Sequence, residues 1–573
     1  MSTIDPITVE VMRNYLLSAA REMARNLMRT SYSTIVYEIR DFGLGIYDRQ
    51  CRLLAEAPGL AIFTRANDYA LQKIVEFLGE ENIQPGDVIL LNYPFWSSTH
   101  TLDVTAASPI FCGEHLVGFT AVKQHWLDLK QKDAGYCLDS VDMYQEGLFF
   151  PCSKIYKQGV LNKDIADIIR FNCRMPDRVL GDMNAQVSSC RTGERRVKEL
   201  VEKFGLDTYT QAVTEILDHG ERLARARLAA LPKGTWSAED WVDDDGIDKN
   251  TMVKIKATVT ITDTEMVVDF SGSAPVTRGP INIPFGCTLG VAGLVFKAIT
   301  TPETPANEGN FRPLRVEAPP GTLMHAVPPA ATFTLWPALL ATEVVTKALA
   351  QGMPDVVPAC SGGDVCSMMG VGTNPRNGRM WIEATNEGVG FGGHASGDGE
   401  NGIMHVTEPG CRNNPIEVLE TKAPLHIESY GLRPDSGGPG EHRGGLGITR
   451  VYRFVAPSSA VTLVKKTKTR PWGMVGGGEG ENCHVILRPG TPQAQVTGMV
   501  YEPMATGEIL ANCSGGGGGW GDPFKRDPEK VLDEVRNGYV SLASARGDYG
   551  VMIDSEKMTV DAAATAALRQ KHS

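Results

Sequence analysis

The sequence predicts a multidomain α+β (mixed α/β) fold, in which an N-terminal α/β region is followed by a β-rich C-terminal half. The chain has 573 residues, 42% of them hydrophobic and 22% charged, which is ordinary globular composition and enough for two to four packed units. Helical and strand periodicities alternate in the first 235 residues, whereas the chain beyond residue 355 is rich in glycine and in short strand patterns. From these changes in pattern we predict four segments: 1–235, 236–355, 356–526 and a helical tail over 527–573.

The N-terminal segment begins with an amphipathic helix over residues 6–30. Asp5 is suited to cap it, Pro6 suits its first position, and apolar residues recur at helical spacing. The elements expected next are a strand or hairpin over 35–47, a helix over 66–78 ending at Gly79, a buried strand over 88–92, strands over 104–111 and 115–125 joined by a turn at Gly113, and helical tracts over 185–200 and 209–231 within a helical region at 160–232.

The remaining segments are predicted from alternation and from glycine content. The elements expected there are strands over 236–245, 252–261 and 265–270, apolar helices over 289–299 and 335–350, short strands beyond 355, and one or two short helices after Asp527.

Charge, cysteine usage and hydropathy exclude several classes of protein. The net charge of −12 argues against a nucleic-acid partner or an anionic membrane surface, both of which favour a basic face. Twelve cysteines are scattered without any Cys-x-x-Cys pair, which indicates buried free thiols rather than a disulfide framework. The N-terminus lacks the features of a signal peptide, and no apolar run approaches the ~20 residues of a membrane span. We therefore expect a cytoplasmic protein.

Histidine and aspartate side chains cluster where the predicted strands end. His100 and Asp103 form a His-x-x-Asp pair after one buried strand, His125 and Asp128 form a second pair at the end of another, and Asp41 can add a carboxylate. Imidazole and carboxylate groups that converge at strand ends suit Zn²⁺, Mn²⁺ or Fe²⁺. On spacing alone, the commoner alternative is a set of hydrogen-bonded structural histidines.

Two glycine-rich segments resemble phosphate-binding loops without completing the pattern. Residues 514–523 and 475–480 both lack the Gly-Lys-Ser/Thr that reaches the phosphates, and neither lies between a strand and a helix. We predict that both are turns with positive φ. Any ATP chemistry is therefore expected on another chain.

Motifs spread along the chain resemble those of the B-type subunits of the hydantoinase/5-oxoprolinase family, which is related to acetone and acetophenone carboxylase subunits. They are Arg40-Asp41-Phe42, Asn92-Tyr-Pro, Thr99-His100-x-x-Asp103, His125-x-x-Asp128, Tyr144-Gln-Glu-Gly-Leu148, Gly181-Asp182-x-x-x-Gln186, Asn307-Glu-Gly-x-Phe-Arg-Pro313, Ser436-Gly-Gly-Pro-Gly-x-x-Arg-Gly-Gly-Leu-Gly447 and Gly518-Gly-Trp-Gly-Asp-Pro523.

The resemblance implies one divalent metal ion held by Asp41, His100, Asp103 and His125. Zn²⁺ is the expected ion, with Mn²⁺ and Fe²⁺ as alternatives. His125 and Asp128 are the implied catalytic residues, with Asp128 beside the metal ligands or in proton transfer, because ligating imidazoles usually need an acceptor for their second N–H.

The resemblance also implies a hydantoinase A-like partner subunit that binds ATP and Mg²⁺ and phosphorylates a cyclic amide. By analogy the assembly is a heterotetramer with two copies of each subunit. This chain would hydrolyse the activated lactam, hydantoin or 5-oxoproline with a metal that lowers the pKa of bound water.

Many members of the family carry a His-His-Ala-Asp run where this chain has Gln124-His125-Trp126-Leu127-Asp128. Because of this departure, the resemblance does not identify the substrate. Trp126 either lines the substrate pocket or packs beneath the metal. The alternative function is ATP-dependent carboxylation of a ketone with bicarbonate as co-substrate, and a third is a non-catalytic assembly subunit.

Overall fold

The computed structural model describes residues 4–334 and 336–571, with Thr64 described by its backbone alone. The α-helices of this part are α1 Pro6–Thr30, α2 Thr34–Tyr37, α3 Ile62–Leu78, α4 Pro94–Ser97, α5 Lys163–Asn172, α6 Pro176–Phe204, α7 Leu206–Ala230, α8 Phe285–Thr300, α9 Trp336–Ala350, α10 Ile416–Lys422, α11 Pro528–Arg536, α12 Leu542–Gly547 and α13 Ala562–Gln570.

The strands of the described chain form five sheets, and most of their pairings are antiparallel. They are β1 Phe42–Asp48, β2 Leu53–Glu56, β3 Val88–Leu91, β4 Asp103–Cys112, β5 His115–His125, β6 Ser153–Lys157, β7 Val160–Leu161, β8 Gly234–Val242, β9 Val253–Ile261, β10 Met266–Asp269, β11 Leu314–Glu317, β12 Ser367–Thr373, β13 Met380–Thr385, β14 Leu425–Leu432, β15 Ile448–Phe454, β16 Ser458–Leu463, β17 His484–Leu487, β18 Gln495–Thr497, β19 Val500–Met504, β20 Ile509–Cys513, β21 Ile553–Asp554 and β22 Thr559–Val560.

A seven-stranded antiparallel sheet, in the order β2-β1-β5-β4-β3-β6-β7, forms the centre of the N-terminal region. Helices cover both of its faces. On one face the Thr120 hydroxyl donates a 3.1 Å hydrogen bond to the Cys190 carbonyl of α6. On the other face the Lys123 ammonium lies 5.6 Å from the centre of the Phe63 ring of α3. Because both faces are buried, the polar side chains within the strands need partners, as Thr120 has in the Cys190 carbonyl.

Most of the predicted elements of this region are confirmed, although Val160 and Leu161, expected to be helical, form strand β7. The Asp5 carboxylate caps α1 by accepting from the N–H groups of Ile7 and Thr8. The expected strand or hairpin at 35–47 is wrong at its start, because residues 34–37 form a helical turn and the strand begins at Phe42. Arg40, with φ +65°, makes the reversal between them. The helix predicted over 66–78 begins four residues earlier and ends as expected before Gly79.

The β-rich half has one four-stranded sheet, β11-β10-β9-β8, against which α9 packs, and two further sheets. These are β13-β12-β16-β19 and β14-β15-β20-β17-β18. The helix predicted over 335–350 is α9, and Leu335 lies outside the described residues. The tail has three helices and a small hairpin instead of one or two helices. The four-segment division remains a prediction.

The prediction of positive-φ turns is wrong for the glycines at 515–519. Their φ values are not positive, whereas Gly521 has φ +75°. A Cβ on Gly516 would lie 1.8 Å from the Ser436 carbonyl oxygen, and on Gly517 it would lie 2.0 Å from that of Phe391. These glycines are needed because backbone segments pack directly on one another. In the 475–480 segment the prediction is confirmed at Val475 and Gly476, with φ +52° and +91°.

In the described part of the chain, no helix combines the length and apolarity needed to cross a bilayer.

Candidate metal centre

The ends of three neighbouring strands bring the predicted ligands together. Asp41 immediately precedes β1, His125 ends β5 and Asp103 begins β4, and these strands are adjacent in the sheet. Asp103 and His125 are direct cross-strand partners, and the His125 N–H donates a 3.2 Å hydrogen bond to the Asp41 carbonyl. Antiparallel pairing therefore places three ligand-bearing residues at one edge of the sheet.

The turn before β4 supplies His100. Pro94 begins the short helix α4, and Ser98 ends it in the left-handed conformation with φ +73°. The buried Lys123 ammonium fixes this turn by donating to the Ser97 carbonyl and to the Thr99 hydroxyl. The Asp103 N–H then donates a 3.0 Å hydrogen bond to the His100 carbonyl, which orients the His-x-x-Asp pair.

The side chains of His100, Asp103 and His125 converge. His125 Nδ1 lies 3.4 Å from Asp103 Oδ1, and His100 Nε2 lies 3.5 Å from Asp103 Oδ2. One ligand atom from each residue lies within 4.8 Å of the others. These separations exceed good hydrogen-bond lengths and match the spacing of atoms arranged around a common cation.

Polar atoms of this cluster are buried without hydrogen-bond partners, and they provide the test of whether a metal fits. They are Asp41 Oδ1, His100 Nδ1, Asp103 Oδ2, His125 Nδ1 and His125 Nε2. A buried polar atom without a partner costs about 1–3 kcal/mol, and five at one place would be a large penalty. A divalent cation would offset most of that penalty by binding one nitrogen of each imidazole and a carboxylate oxygen of each aspartate, which is a suitable donor set. The residues therefore fit a metal ion.

Protonation states at the cluster also suit metal binding. Burial lowers the pKa of His100 to about 4, so its imidazole is neutral at pH 7, as a ligand must be. Burial opposes the ionisation of Asp103, but the neighbouring His100 and His125 lower its pKa below the usual value. Burial raises the pKa of Asp41, with His125 opposing and Asp103 adding to the shift. Near neutral pH Asp41 is therefore partly protonated, and a bound cation would displace that proton.

A narrow cavity of ≈ 70 Å³ opens from this cluster and is large enough for an ion and several water molecules. Asp41, His100 and Asp103 form one wall. The opposite wall comes from the C-terminal half and includes Trp336, Leu339, Met369, Asn386, Thr407 and Glu408. Burial raises the pKa of Glu408 to about 8, and the Asp41 charge adds to the shift. The centre thus lies between two halves of the chain.

Asp128 lies away from this arrangement. Its carboxylate accepts from the Arg174 guanidinium at 2.7 Å and from the Arg174 backbone N–H. Both His125 ring nitrogens lack a hydrogen-bond partner, so Asp128 does not accept an N–H from this imidazole. Asp128 is also not among the described residues that line the cavity. A catalytic role for Asp128 or His125 stays a prediction.

Trp126 packs within the core. Its side chain is fully buried, and its indole N–H donates a 2.8 Å hydrogen bond to Gln186 Oε1. The Gln186 amide in turn donates to the carbonyls of Val104 and Val122, which fastens α6 to β4 and β5. Of the two alternatives for Trp126, the structure therefore favours packing near the site.

Several residues at the centre were not anticipated from the sequence. The Tyr136 hydroxyl lies 3.1 Å from His100 Nε2, and its ring stacks on His125 with centroids 5.7 Å apart. Thr407 and Glu408 reach the cavity from almost 300 residues further along the chain. None of these residues lies in a motif with recognisable spacing, so only the tertiary structure reveals them.

Known proteins share this architecture along nearly the whole chain. The family model described as hydantoinase B/oxoprolinase matches residues 5–523. A putative D-/L-hydantoinase B-type subunit of Pseudomonas sp. (strain NS671) is 33% identical, and the alignment covers 97% of each chain. The crystal structure of the ATP-dependent caprolactamase from Pseudomonas jessenii superposes with a TM-score of 0.92 at 30% identity and covers 99% of this chain and 100% of that one.

A nucleotide-free acetone carboxylase structure superposes with a TM-score of 0.90, covering 99% of this chain and 83% of that one. At 20% identity it shows a shared fold only. The match of the family model and the identity to the hydantoinase relative, each over most of the length, are decisive: this chain belongs to the hydantoinase B/oxoprolinase family.

Proposed function

We propose that this chain is the metal-dependent subunit of an ATP-dependent cyclic-amide hydrolase. The observation that carries the proposal is the cluster of unpartnered buried atoms of Asp41, His100, Asp103 and His125 at the cavity between the two halves. The substrate is a lactam, a hydantoin or 5-oxoproline. Relatives named for hydantoinase and ATP-dependent caprolactamase activity support this class of substrate.

ATP and Mg²⁺ would bind to an A-type partner subunit. The glycine segments support this assignment, because their N–H groups are used within the fold. The N–H groups of Gly517, Gly518 and Gly519 donate to the carbonyls of Gly445, Cys360 and Gly478. They are therefore not available to hold phosphate oxygens. The hydantoinase relative is itself named as one subunit of its enzyme, which agrees with a partner chain, and two copies of each subunit remain our proposed stoichiometry.

Asp41, His100, Asp103 and His125 would hold one divalent ion, for which Zn²⁺ is our first choice and Mn²⁺ and Fe²⁺ are alternatives. Bound there, it would supply a Lewis acid that lowers the pKa of water near the activated carbon. Burial keeps His100 neutral, and Tyr136 packs against both imidazoles, with its hydroxyl 3.1 Å from His100 Nε2 and its ring stacked on His125. Leu339 and Met369 exclude bulk water from the opposite wall of the cavity.

The experiment is to co-express the chain with an A-type subunit and measure ADP release with caprolactam, hydantoin and 5-oxoproline. Acetone and acetophenone, each with and without bicarbonate, are the comparison substrates. ATP turnover that opens a ring without bicarbonate is the expected result. Bicarbonate-dependent carboxylation of a ketone would instead establish the alternative.

The Asp103→Ala complex separates catalysis from assembly. It should still form with the partner yet no longer open the ring, because a ligand has been removed. If the Asp103→Ala complex retained full activity, this chain would be an assembly subunit only.

A further inference from the structure

A second buried constellation reaches the same cavity from the C-terminal half. It consists of Glu343 on α9 and of His405 and Thr407 on the segment before α10. All three side chains are at least 96% buried, and Thr407 lines the cavity beside Asp41, His100 and Asp103. Glu343 and His405 are not among the described residues that line the cavity.

The hydrogen bonds of His405 run in one direction. His405 Nδ1 lies 2.9 Å from the Thr407 hydroxyl and also accepts the Thr407 backbone N–H at 3.3 Å. A nitrogen that accepts an N–H carries no proton, so the proton of the neutral ring is on Nε2. Nε2 lies 3.1 Å from Glu343 Oε1 and donates to it. The Thr407 hydroxyl is therefore free to donate to Nδ1.

Glu343 is held as a carboxylate. Burial opposes its ionisation, but the hydrogen bonds from His405 and Ser361 outweigh burial and lower its pKa below the usual value. The Ser361 hydroxyl donates to Glu343 Oε1 at 2.5 Å. A carboxylate, an imidazole with a fixed tautomer and a hydroxyl in series are the arrangement that lets a hydroxyl pass protons.

The same local turn occurs elsewhere in the chain without these additions. His394 Nδ1 lies 3.0 Å from the Ser396 hydroxyl and accepts the Ser396 N–H at 3.3 Å. Ser396 is exposed, and no ion pair involves His394 among the described residues. The turn alone therefore explains the contact between residues 405 and 407. It does not explain the buried carboxylate behind His405 or the position of Thr407 at the cavity.

We propose that Glu343, His405 and Thr407 form a proton relay into the metal cavity, in which the Thr407 hydroxyl touches the reacting water. His405 and Glu343 are positioning residues that act through Thr407. This inference rests on the proposed lactam-hydrolysing function and adds to it a route for the protons.

The relay accepts and returns the protons that are transferred when water adds and the ring opens. The water oxygen bonds to the phosphorylated carbon while the C=N π pair moves to the ring nitrogen. The water gives a proton to Thr407 Oγ1 while the Thr407 hydroxyl gives its proton to His405 Nδ1. The resulting imidazolium then returns a proton through Thr407 to the ring nitrogen of the substrate. The hydroxyl of the adduct then gives its proton to the same nitrogen by the same route, and its oxygen forms the C=O double bond. The C–N bond breaks at the same time to give a free amine and an acyl phosphate, which a second water hydrolyses.

The test compares Thr407→Val, which removes the hydroxyl at nearly constant volume, with Thr407→Ser, which keeps it. In the co-expressed complex, Thr407→Val and His405→Gln should lower kcat about 10²–10⁴-fold, the range for lost proton transfer, with KM and metal content little changed. Thr407→Ser should restore kcat to within about tenfold of the wild type. Ser396→Ala is the matched control at the exposed turn and should leave kcat unchanged.

If the wild-type complex opens a lactam and Thr407→Val does so equally fast, the relay is overturned and the proposed function stands. If the wild-type complex opens no cyclic amide, the proposed function fails and the relay is decided by ¹⁵N NMR of the imidazoles. The expected spectrum has His405 protonated at Nε2, with an Nδ1 shift that moves in Thr407→Val. A His405 ring protonated at Nδ1 would refute the relay independently of activity.

Discussion

Among the described residues, two buried groups each bring together three side chains of the kind that bind metals, and only one has the character of a metal site. The first is the His100, Asp103 and His125 cluster, and the second consists of Asp364, Cys366 and Cys483. In both groups the candidate ligand atoms lie within 4.8 Å of one another and every residue is buried. Proximity alone therefore does not distinguish them.

Hydrogen bonding distinguishes the two clusters. Asp364 accepts from the indole N–H of Trp336 and from the backbone N–H groups of Val365, Cys366 and Lys465. Cys483 Sγ accepts from the Gly515 N–H and donates to the Gly362 carbonyl. The His/Asp cluster instead leaves five buried atoms unpartnered.

The thiols of the second cluster are also poorly suited to metal binding. Burial raises the pKa of Cys366 well above its usual value, and the neighbouring Cys483 adds to the shift, so a cation would have to displace a proton held more tightly than that of Asp41. A metal ligand must be a thiolate. Unsatisfied polar atoms, more than the distances between donor atoms, therefore indicate where a cation belongs.

The largest expected effect is on metal affinity. Asp103→Ala should weaken binding about 10²–10³-fold, since a four-ligand zinc site is worth about 10–16 kcal/mol and each ligand contributes roughly a quarter. Asp364→Ala is the matched control and should keep the wild-type metal content. Elemental analysis and competition with a chelator measure both. If Asp364→Ala lost the metal and Asp103→Ala kept it, the metal would bind at the Asp364 cluster instead.

The next largest effect is on the free energy of unfolding, which a substitution should lower in the Asp364 cluster and raise in the His/Asp cluster. Asp364→Ala should lower the free energy of unfolding by about 3 kcal/mol or more, because four buried donors lose their acceptor. Asp41→Asn should instead stabilise the metal-free protein near pH 8, because burial disfavours the Asp41 carboxylate. Urea unfolding of metal-free samples measures both changes. Equal destabilisation by the two substitutions would contradict the assignment.

Metal binding should depend on pH through Asp41. Its pKa is raised, so at acidic pH a cation must displace one proton, and affinity should fall about tenfold per pH unit below that raised pKa. His100, whose pKa is about 4, stays neutral between pH 5.5 and 8 and adds no slope. Asp41→Asn should flatten the dependence measured by competition titration. Glu408→Gln controls for the other cavity carboxyl, and a flat profile in that variant alone would assign the proton to Glu408.

The raised pKa of Asp41 also fixes the sign of the stability profile without metal. A carboxyl whose folded-state pKa lies above the unfolded value contributes stability that is present below the unfolded value near 3.8. That contribution is lost as pH rises through the folded-state pKa. The metal-free wild type should therefore lose stability towards neutral pH, and added Zn²⁺ should restore it.

The smallest effect is expected from Cys483→Ala. It should leave metal content unchanged and lower the free energy of unfolding by about 1 kcal/mol, since a small side chain and two weak sulfur hydrogen bonds are lost. Urea unfolding and metal analysis on one preparation provide both measurements. Loss of a bound metal in Cys483→Ala would give the second cluster a binding role.

The predicted site depended on strand ends that the sequence marks clearly. Alternation ending at His125, and a His-x-x-Asp pair before the preceding strand, were enough to expect an imidazole and a carboxylate at one edge. The helical turn at 34–37 and the lateral packing of Gly516 and Gly517 were missed. Both depend on distant segments, and no local pattern indicates which backbone will lie beside a glycine.

The register of the β4–β5 hairpin is a feature of the site that the sequence pattern does not predict. Counting outward from the Cys112–His115 pair at the turn would place Gln124 opposite Asp103. A register shift between Ile110 and Phe111 moves the pairing by one residue, so that His125 takes that place. A slip of one residue exchanges the two faces of a strand, and therefore a single bulge decides whether an imidazole or an amide meets the carboxylate.

The sequence alone identified the family motifs, most of the helices and strands, and the candidate metal ligands. Local periodicity and spacing carry that information, because it concerns neighbours along the chain. Three other features are visible only in the tertiary structure. Asp128 binds Arg174, and residues between 336 and 408 line part of the cavity. Thr407 is one of these residues, and it is hydrogen-bonded to His405, which in turn is hydrogen-bonded to Glu343. These relations depend on how the two halves pack against each other, and such long-range contacts leave no spacing that a single sequence can show.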